Sequence, residues 1–167
     1  MTAPIIVAAW IADEDQAWLT GLRERYFPPE RNQLPAHLTM FQHLPPSAEL
    51  ELKARLVAAT RAAPPAAELG EVMSLGRGVA LRVRSPGLEA IRSELQAAFA
   101  GLLTPQDAGG WRPHITLQNK VTPQEAKRTL DEVRAGFRPQ PLGLKGLAAF
   151  WYRGGPWEPL CRSAFRP

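Results

Sequence analysis

Cysteine is nearly absent. Cys161 stands alone in 167 residues, which excludes an internal disulfide and, with no Cys or His at ligand spacing beside it, argues against a thiolate metal site. This usage fits a reducing compartment, so a cytoplasmic location is expected. Long apolar runs are missing too. Residues 4–11, PIIVAAWI, fall well short of the roughly twenty needed to span a bilayer. No basic residue precedes them and Asp13, Glu14 and Asp15 follow, the reverse of a secretory signal, so the run predicts a buried strand. Arg77 and Gly78 lack the spacing and the following lysine of a phosphate-binding glycine loop. With no lysine nucleophile motif either, nothing marks a nucleotide-activated ligase.

What is present is ordinary for a folded domain. An apolar fraction of 45% with 22% charged residues can build a real core, and the length suits one domain over residues 1–167. Twenty basic against sixteen acidic residues give a formal charge of +4, mildly favourable for polyanions. Sixteen of the twenty cations are arginine, whose planar fork suits phosphate. Charge alone does not identify a nucleic-acid partner.

There are three histidines, and two of them sit in matched settings. Residues 35–44 read PAHLTMFQHL and residues 111–121 read WRPHITLQNKV. In both, a proline stands just upstream of a histidine, a threonine follows two residues later, and apolar residues alternate. With eight threonines in the chain, a given histidine has Thr two places on about 5% of the time by composition, so the pair is well beyond accident. Side chains of a strand alternate between its faces. This parity puts His37, Thr39, Phe41 and His43 on one face, with Leu38, Met40 and Leu44 on the other. In the second copy His114, Thr116, Gln118 and Lys120 share a face, and Ile115, Leu117 and Val121 oppose it. The two polar faces are expected to look at each other across a cleft.

The rest of the chain supplies the frame. Residues 13–27 predict a helix with Trp18, Leu22 and Tyr26 four apart. Ser47 is expected to cap a second helix over residues 48–61, with Leu52, Leu56 and Ala59 as its buried stripe. Residues 67–83 alternate as a hairpin turning at Gly76–Gly78. Ser85 or Pro86 opens a third helix carrying Leu88, Ile91, Leu95 and Phe99. GLLTPQDAGG then reads as a flexible approach to the second motif strand. Thr122 and Glu125 form the T-x-x-E start of a fourth helix reaching about Ala135. Residues 141–165 read as two strands joined through YRGGPW. Each half of the chain thus holds two helices, one motif strand and a closing hairpin. The predicted fold is α+β, with two quasi-symmetric lobes of antiparallel sheet and outer helices around a central cleft.

Two histidines facing one cleft suit an in-line displacement at phosphorus. One neutral imidazole removes a proton from the nucleophile and a protonated one donates to the leaving oxygen, either form being accessible near neutrality. Threonine hydroxyls beside them would donate to non-bridging phosphate oxygens. A zinc site fits poorly, because His37 and His43 would lie about 20 Å apart along a strand and no H-x-H or nearby carboxylate exists. Metal-independent chemistry without a cofactor is therefore expected. By position, Phe41 is a candidate either to stack a base or to fill the core, Lys120 and His43 either to meet a neighbouring phosphate or to solvate the rim, and Arg112 to neutralise phosphate charge. Tyr152, Arg153 and Trp157 are placed to close over the base.

PAHLTMFQHL and WRPHITLQNKV resemble the paired H-x-T-x signatures of the 2H phosphoesterase superfamily. The layout resembles its members known as 2'-5' RNA ligases or RNA 2',3'-cyclic phosphodiesterases. The resemblance implies that His37 and His114 act as acid and base on a 2',3'-cyclic phosphate or related phosphodiester, with Thr39 and Thr116 holding the phosphate. It leaves open which histidine is the base. Where bacterial members often carry an arginine shortly after the second motif, this chain has Gln118, Asn119 and Lys120. The partner implied is an RNA end or a small cyclic nucleotide, met as substrate by a monomer with no membrane involved. An alternative from the same residues is an RNA-end or nucleotide-binding module without turnover.

Overall fold

The computed structural model describes residues 3–167. In chain order the elements are β1 (Ile5–Ile11), α1 (Asp13–Tyr26), β2 (Leu38–Leu44), α2 (Glu49–Ala59), β3 (Glu68–Ser74), β4 (Val79–Arg84) and α3 (Pro86–Ala98). There follow α4 (Pro105–Ala108), β5 (His114–Gln118), α5 (Pro123–Gly136), β6 (Gln140–Pro141), β7 (Leu144–Trp151) and β8 (Glu158–Ala164). The strands form two four-stranded sheets ordered β2-β1-β7-β8 and β5-β4-β3-β6, and every pairing is antiparallel. The fold is α+β with helices around the two sheets, as the pattern predicts. No helix among the described residues is long and apolar enough to cross a membrane.

The sheets do not follow the halves of the sequence. The hairpin β3–β4 pairs with β5, the second motif strand, while β7–β8 pairs with β1 beside the first. Each half therefore gives its closing hairpin to the other half's sheet. The reason lies in β1, whose residues are buried almost throughout. An all-apolar strand needs partners on both edges and cover on both faces, and β2 and β7 supply the edges. The hairpin turn of β3–β4 falls where expected, with Gly76 at φ 81°. At Gly78 a Cβ would stand 1.9 Å from the Gln118 carbonyl oxygen, so only glycine lets this turn close on β5.

Capping chemistry holds at two helices and fails at one. The Ser85 hydroxyl accepts the Leu88 N–H at 3.3 Å and Thr122 accepts the Glu125 N–H at 3.1 Å, opening α3 and α5. Ser47 instead lies inside a 3-10 turn, Pro46–Ala48, and makes no cap, because the proline pair tightens the chain before α2 begins at Glu49. Helix α1 is turned one residue from its expected stripe: Leu19 and Arg23 are buried while Trp18 is 40% exposed. It packs against β5 of the opposite sheet, which selects a different face.

The segment GLLTPQDAGG is ordered rather than a flexible approach. Thr104 Oγ1 accepts the Asp107 N–H at 3.3 Å, which starts the single turn α4. The Asp107 carboxylate, 2% exposed, then accepts the backbone N–H groups of Gln42 and His43, each at 2.9 Å. A buried N–H without an acceptor costs about 1–3 kcal/mol. Asp107→Ala is therefore expected to destabilise the fold by about 2–4 kcal/mol and Asp107→Asn by less, since the amide retains one acceptor. Urea denaturation of the two variants checks this, and a wild-type midpoint for Asp107→Ala would remove the role given to the carboxylate.

Candidate active site

Strands β2 and β5 are edge strands of different sheets, and they adjoin across the cleft. His37 stands just before β2 and His114 opens β5. Both side chains line one hollow of about 330 Å³, together with Thr39, Thr116, Gln42, Arg112 and Trp157. The structure thus brings the two motif histidines and the two motif threonines to one place.

The imidazoles are held alike. His37 Nδ1 lies 2.9 Å from the Pro35 carbonyl oxygen and His114 Nδ1 lies 2.8 Å from that of Arg112. A carbonyl only accepts, so Nδ1 carries the hydrogen in each ring and donates it. Nε2 is left as the atom that takes or gives a proton. The His37 ring also packs against Trp157, with centroids 4.6 Å apart and planes at 56°. Trp157 is backed in turn by Phe150 at 5.5 Å.

Burial pushes the His37 imidazole down from its ordinary 6.5 to about 4. The Pro35 carbonyl works against this, and the charges of Arg23 and His114 add to it. His37 is accordingly neutral near pH 7, with a free lone pair on Nε2.

Two buried arginines stand behind the site. Arg23 on α1, 5% exposed, donates from Nε to Asn32 Oδ1 at 2.9 Å and from Nη1 to the Thr116 carbonyl at 3.1 Å. It also lies over the Phe27 ring at 4.0 Å. Arg92 on α3, 4% exposed, donates to the carbonyls of Met40, Gly109 and Asp107. Its guanidinium lies over Phe41 at 4.7 Å and Trp111 at 5.6 Å. Trp111 Nε1 adds a bond to the Thr39 carbonyl at 3.1 Å. The carbonyl dipoles hold these cations in place without neutralising them, and of the two only Arg92 feels a nearby carboxylate among the described residues, that of Asp107.

Several positions expected from parity fall elsewhere. Phe41 is fully buried in the core and does not line the hollow. The register of β1 on β2 runs from Ala8↔Thr39 to Val7↔Phe41 to Ile5↔Leu44, so two bulges each insert a residue into β2. The first turns Phe41 into the core and brings Gln42 to the hollow in its place. His43 is exposed but does not line it. In β5 a further shift between Gln118 and Thr116 buries Gln118, whose Nε2 donates to Thr129 Oγ1 at 2.9 Å. Lys120 lies past the strand at φ 63°, exposed and away from the hollow. Arg112 does line it.

Around Trp157 two more hollows meet the first. One, of about 460 Å³, lies over Ala8 and Ala148 and is walled by Trp10, Phe150 and Trp157, with His37 at its edge. The other holds Tyr152. Arg153 is engaged with Glu158 at 2.8 Å instead. Arg23, Arg92 and Asp107 carried no motif, and Gln42, though inside the first motif stretch, was assigned by alternation to the opposite face. The one signal available for Asp107 was its place after Thr104 and Pro105, a helix start. Among the described residues no group of three or more His, Cys, Asp or Glu side chains is placed to hold an ion.

The depressed His37 pKa has a consequence for stability. Between about pH 4 and 6.5 the unfolded chain binds a proton at this position that the folded chain does not, so stability rises with pH across the window and is lost on acidification. The shift corresponds to at most about 3 kcal/mol. His37→Gln is expected to flatten this part of the slope in denaturant melts run from pH 4 to 7. An unchanged slope would contradict the burial of the ring.

A profile of the family described as the 2'-5' RNA ligase superfamily matches residues 11–156. No curated protein sequence matches significantly. Among solved structures, TT0787 of Thermus thermophilus aligns with a TM-score of 0.66 at 19% identity, covering 99% of this chain and 98% of that one. E. coli LigT complexed with 3'-AMP aligns at 0.62 and 23% identity over 100% of both chains. A protein described as a phosphoesterase aligns at 0.61 and 22% identity over 99% of each. At these identities the structures establish a shared fold. The profile match, over most of the chain and across both H-x-T motifs, places this protein in the 2'-5' RNA ligase superfamily.

Proposed function

We propose that this chain is a metal-independent phosphodiesterase that opens 2',3'-cyclic phosphates on RNA ends or small nucleotides. The observation that carries the reading is the convergence of His37, Thr39, His114 and Thr116 on one hollow with both imidazoles tethered through Nδ1. E. coli LigT has been described in complexes with 3'-AMP, NADP+ and ATP. Nucleotides on the same fold support a nucleotide-sized ligand here.

The neutral His37 is assigned as base. Its Nε2 lone pair takes a proton from water as the water oxygen attacks phosphorus. The bond from phosphorus to one ribose oxygen breaks, and the His114 imidazolium gives its Nε2 proton to that oxygen. Afterwards His37 is protonated and His114 neutral, and exchange with solvent restores both. The Thr39 and Thr116 hydroxyls donate to the non-bridging oxygens, where charge builds in the transition state. Arg112 at the rim, and Arg92 and Arg23 behind the motif strands, add positive potential. Trp157 offers its ring to the base, the role that parity had suggested for Phe41.

His37→Ala and His114→Ala are each expected to lower kcat/KM for a 2',3'-cyclic nucleotide by about 10²–10⁴. The pH profile should be bell-shaped and belong to the coupled pair, with its acid limb well below 6.5. Addition of EDTA should leave the rate unchanged. Full activity in either variant would refute the assignment. Salt-sensitive RNA binding without any turnover would instead favour a binding module.

A further inference from the structure

Next to the two-histidine hollow lies another of about 380 Å³, lined by Arg23, Arg31, Gln33, Gln42, Tyr152 and Trp157 among others. It shares Gln42 and Trp157 with the first, and no carboxylate lines it. Among the described residues neither Arg23 nor Arg31 forms an ion pair. Arg23 is 5% exposed, and with Nε and Nη1 taken by Asn32 and Thr116 its Nη2 has no hydrogen-bond partner among those residues.

A buried guanidinium is costly unless its charge is met. Burial lowers the pKa of Arg23, yet an arginine stays protonated in a folded protein. Asn32, the Thr116 carbonyl and the Phe27 ring offer only dipoles and a quadrupole. Arg31 stands exposed at the end of a 3-10 turn, Pro29–Arg31, which delivers it to the same hollow. Two unpaired guanidinium groups, one deep and one at the rim, are the donor set that a phosphoryl group satisfies.

We propose that this hollow is a second phosphate subsite, taking a phosphoryl group on the 5' oxygen of the ribose whose cyclic phosphate lies between His37 and His114. The assignment rests on the phosphodiesterase reading of the first hollow. The 2',3' edge and the 5' oxygen are opposite ends of one ribose, so a ligand spanning two adjoining hollows presents an anion to each. A terminal 5'-phosphate and an internucleotide diester offer the same non-bridging oxygens, and either could fill the site. Substrates with two phosphoryl groups are thereby preferred over a plain cyclic mononucleotide.

The test compares kcat/KM for adenosine 2',3'-cyclic phosphate, its 5'-phosphorylated form, and the dinucleotide ApA ending in a 2',3'-cyclic phosphate. At least one of the two doubly phosphorylated substrates is expected to exceed the first by about 10- to 100-fold, and whichever is preferred identifies the source of the second phosphate. In Arg31→Glu, an exposed position that does not endanger folding, that ratio is expected to fall close to one. A ratio near one in the wild type, or one that Arg31→Glu leaves intact, overturns the subsite. If none of the three substrates is opened, the reading of the first hollow fails and the second is judged by binding alone. Calorimetry with adenosine 5'-monophosphate against adenosine then decides: tighter binding of the monophosphate that Arg31→Glu abolishes supports the subsite, and equal binding removes it.

Discussion

Two buried arginines strap the motif strands across the cleft. Arg23 comes from α1, which precedes the first motif, and bonds the carbonyl of Thr116 in the second. Arg92 comes from α3, which precedes the second motif, and bonds the carbonyl of Met40 in the first. The crossing is reciprocal. Each strap fixes the backbone that carries one histidine and threonine pair relative to the element that leads into the other. β2 and β5 are edge strands of separate sheets, and the straps satisfy a carbonyl on each that would otherwise face a gap.

The straps shape the chemistry as well as the geometry. A guanidinium buried against carbonyl oxygens and aromatic rings keeps its positive charge, because neither kind of partner neutralises it. The Asp107 carboxylate, which accepts from the Gln42 and His43 N–H groups, also lines the hollow and offsets part of the Arg92 charge, while Arg23 and Arg112 have no such partner among the described residues. The field left over favours an anion. It also disfavours a proton on His37, which burial had already made reluctant to charge. A neutral imidazole in positive surroundings is the state that the base role proposed for His37 requires, since a protonated ring would have nothing to accept with.

The bulges in β2 show where a simple rule of alternation stops. Parity from His37 is obeyed through Thr39 and lost at the next inserted residue, so Phe41 enters the core and Gln42 meets the hollow. The extra residues leave two adjacent N–H groups, of Gln42 and His43, without a partner strand. Asp107 answers both from a single turn some sixty residues later in the chain. Bulge and carboxylate are one device. In β5 a single shift beyond Thr116 buries Gln118, which finds Thr129 on α5.

The residues alone determined most of the elements and singled out the candidate centre. Period-two alternation, two good caps at Ser85 and Thr122, and a repeated H-x-T are local signals, readable because each depends on neighbours within a few positions. They sufficed to name His37, Thr39, His114 and Thr116 and to predict two antiparallel sheets with outer helices. Tertiary structure decided what depends on distant partners. It chose which hairpin joins which sheet, turned α1 toward Leu19 and Arg23, ordered GLLTPQDAGG around Asp107, and exchanged Phe41 for Gln42. Each of these outcomes is settled by satisfying buried charges and backbone donors across long separations, an account no stretch of sequence can close by itself.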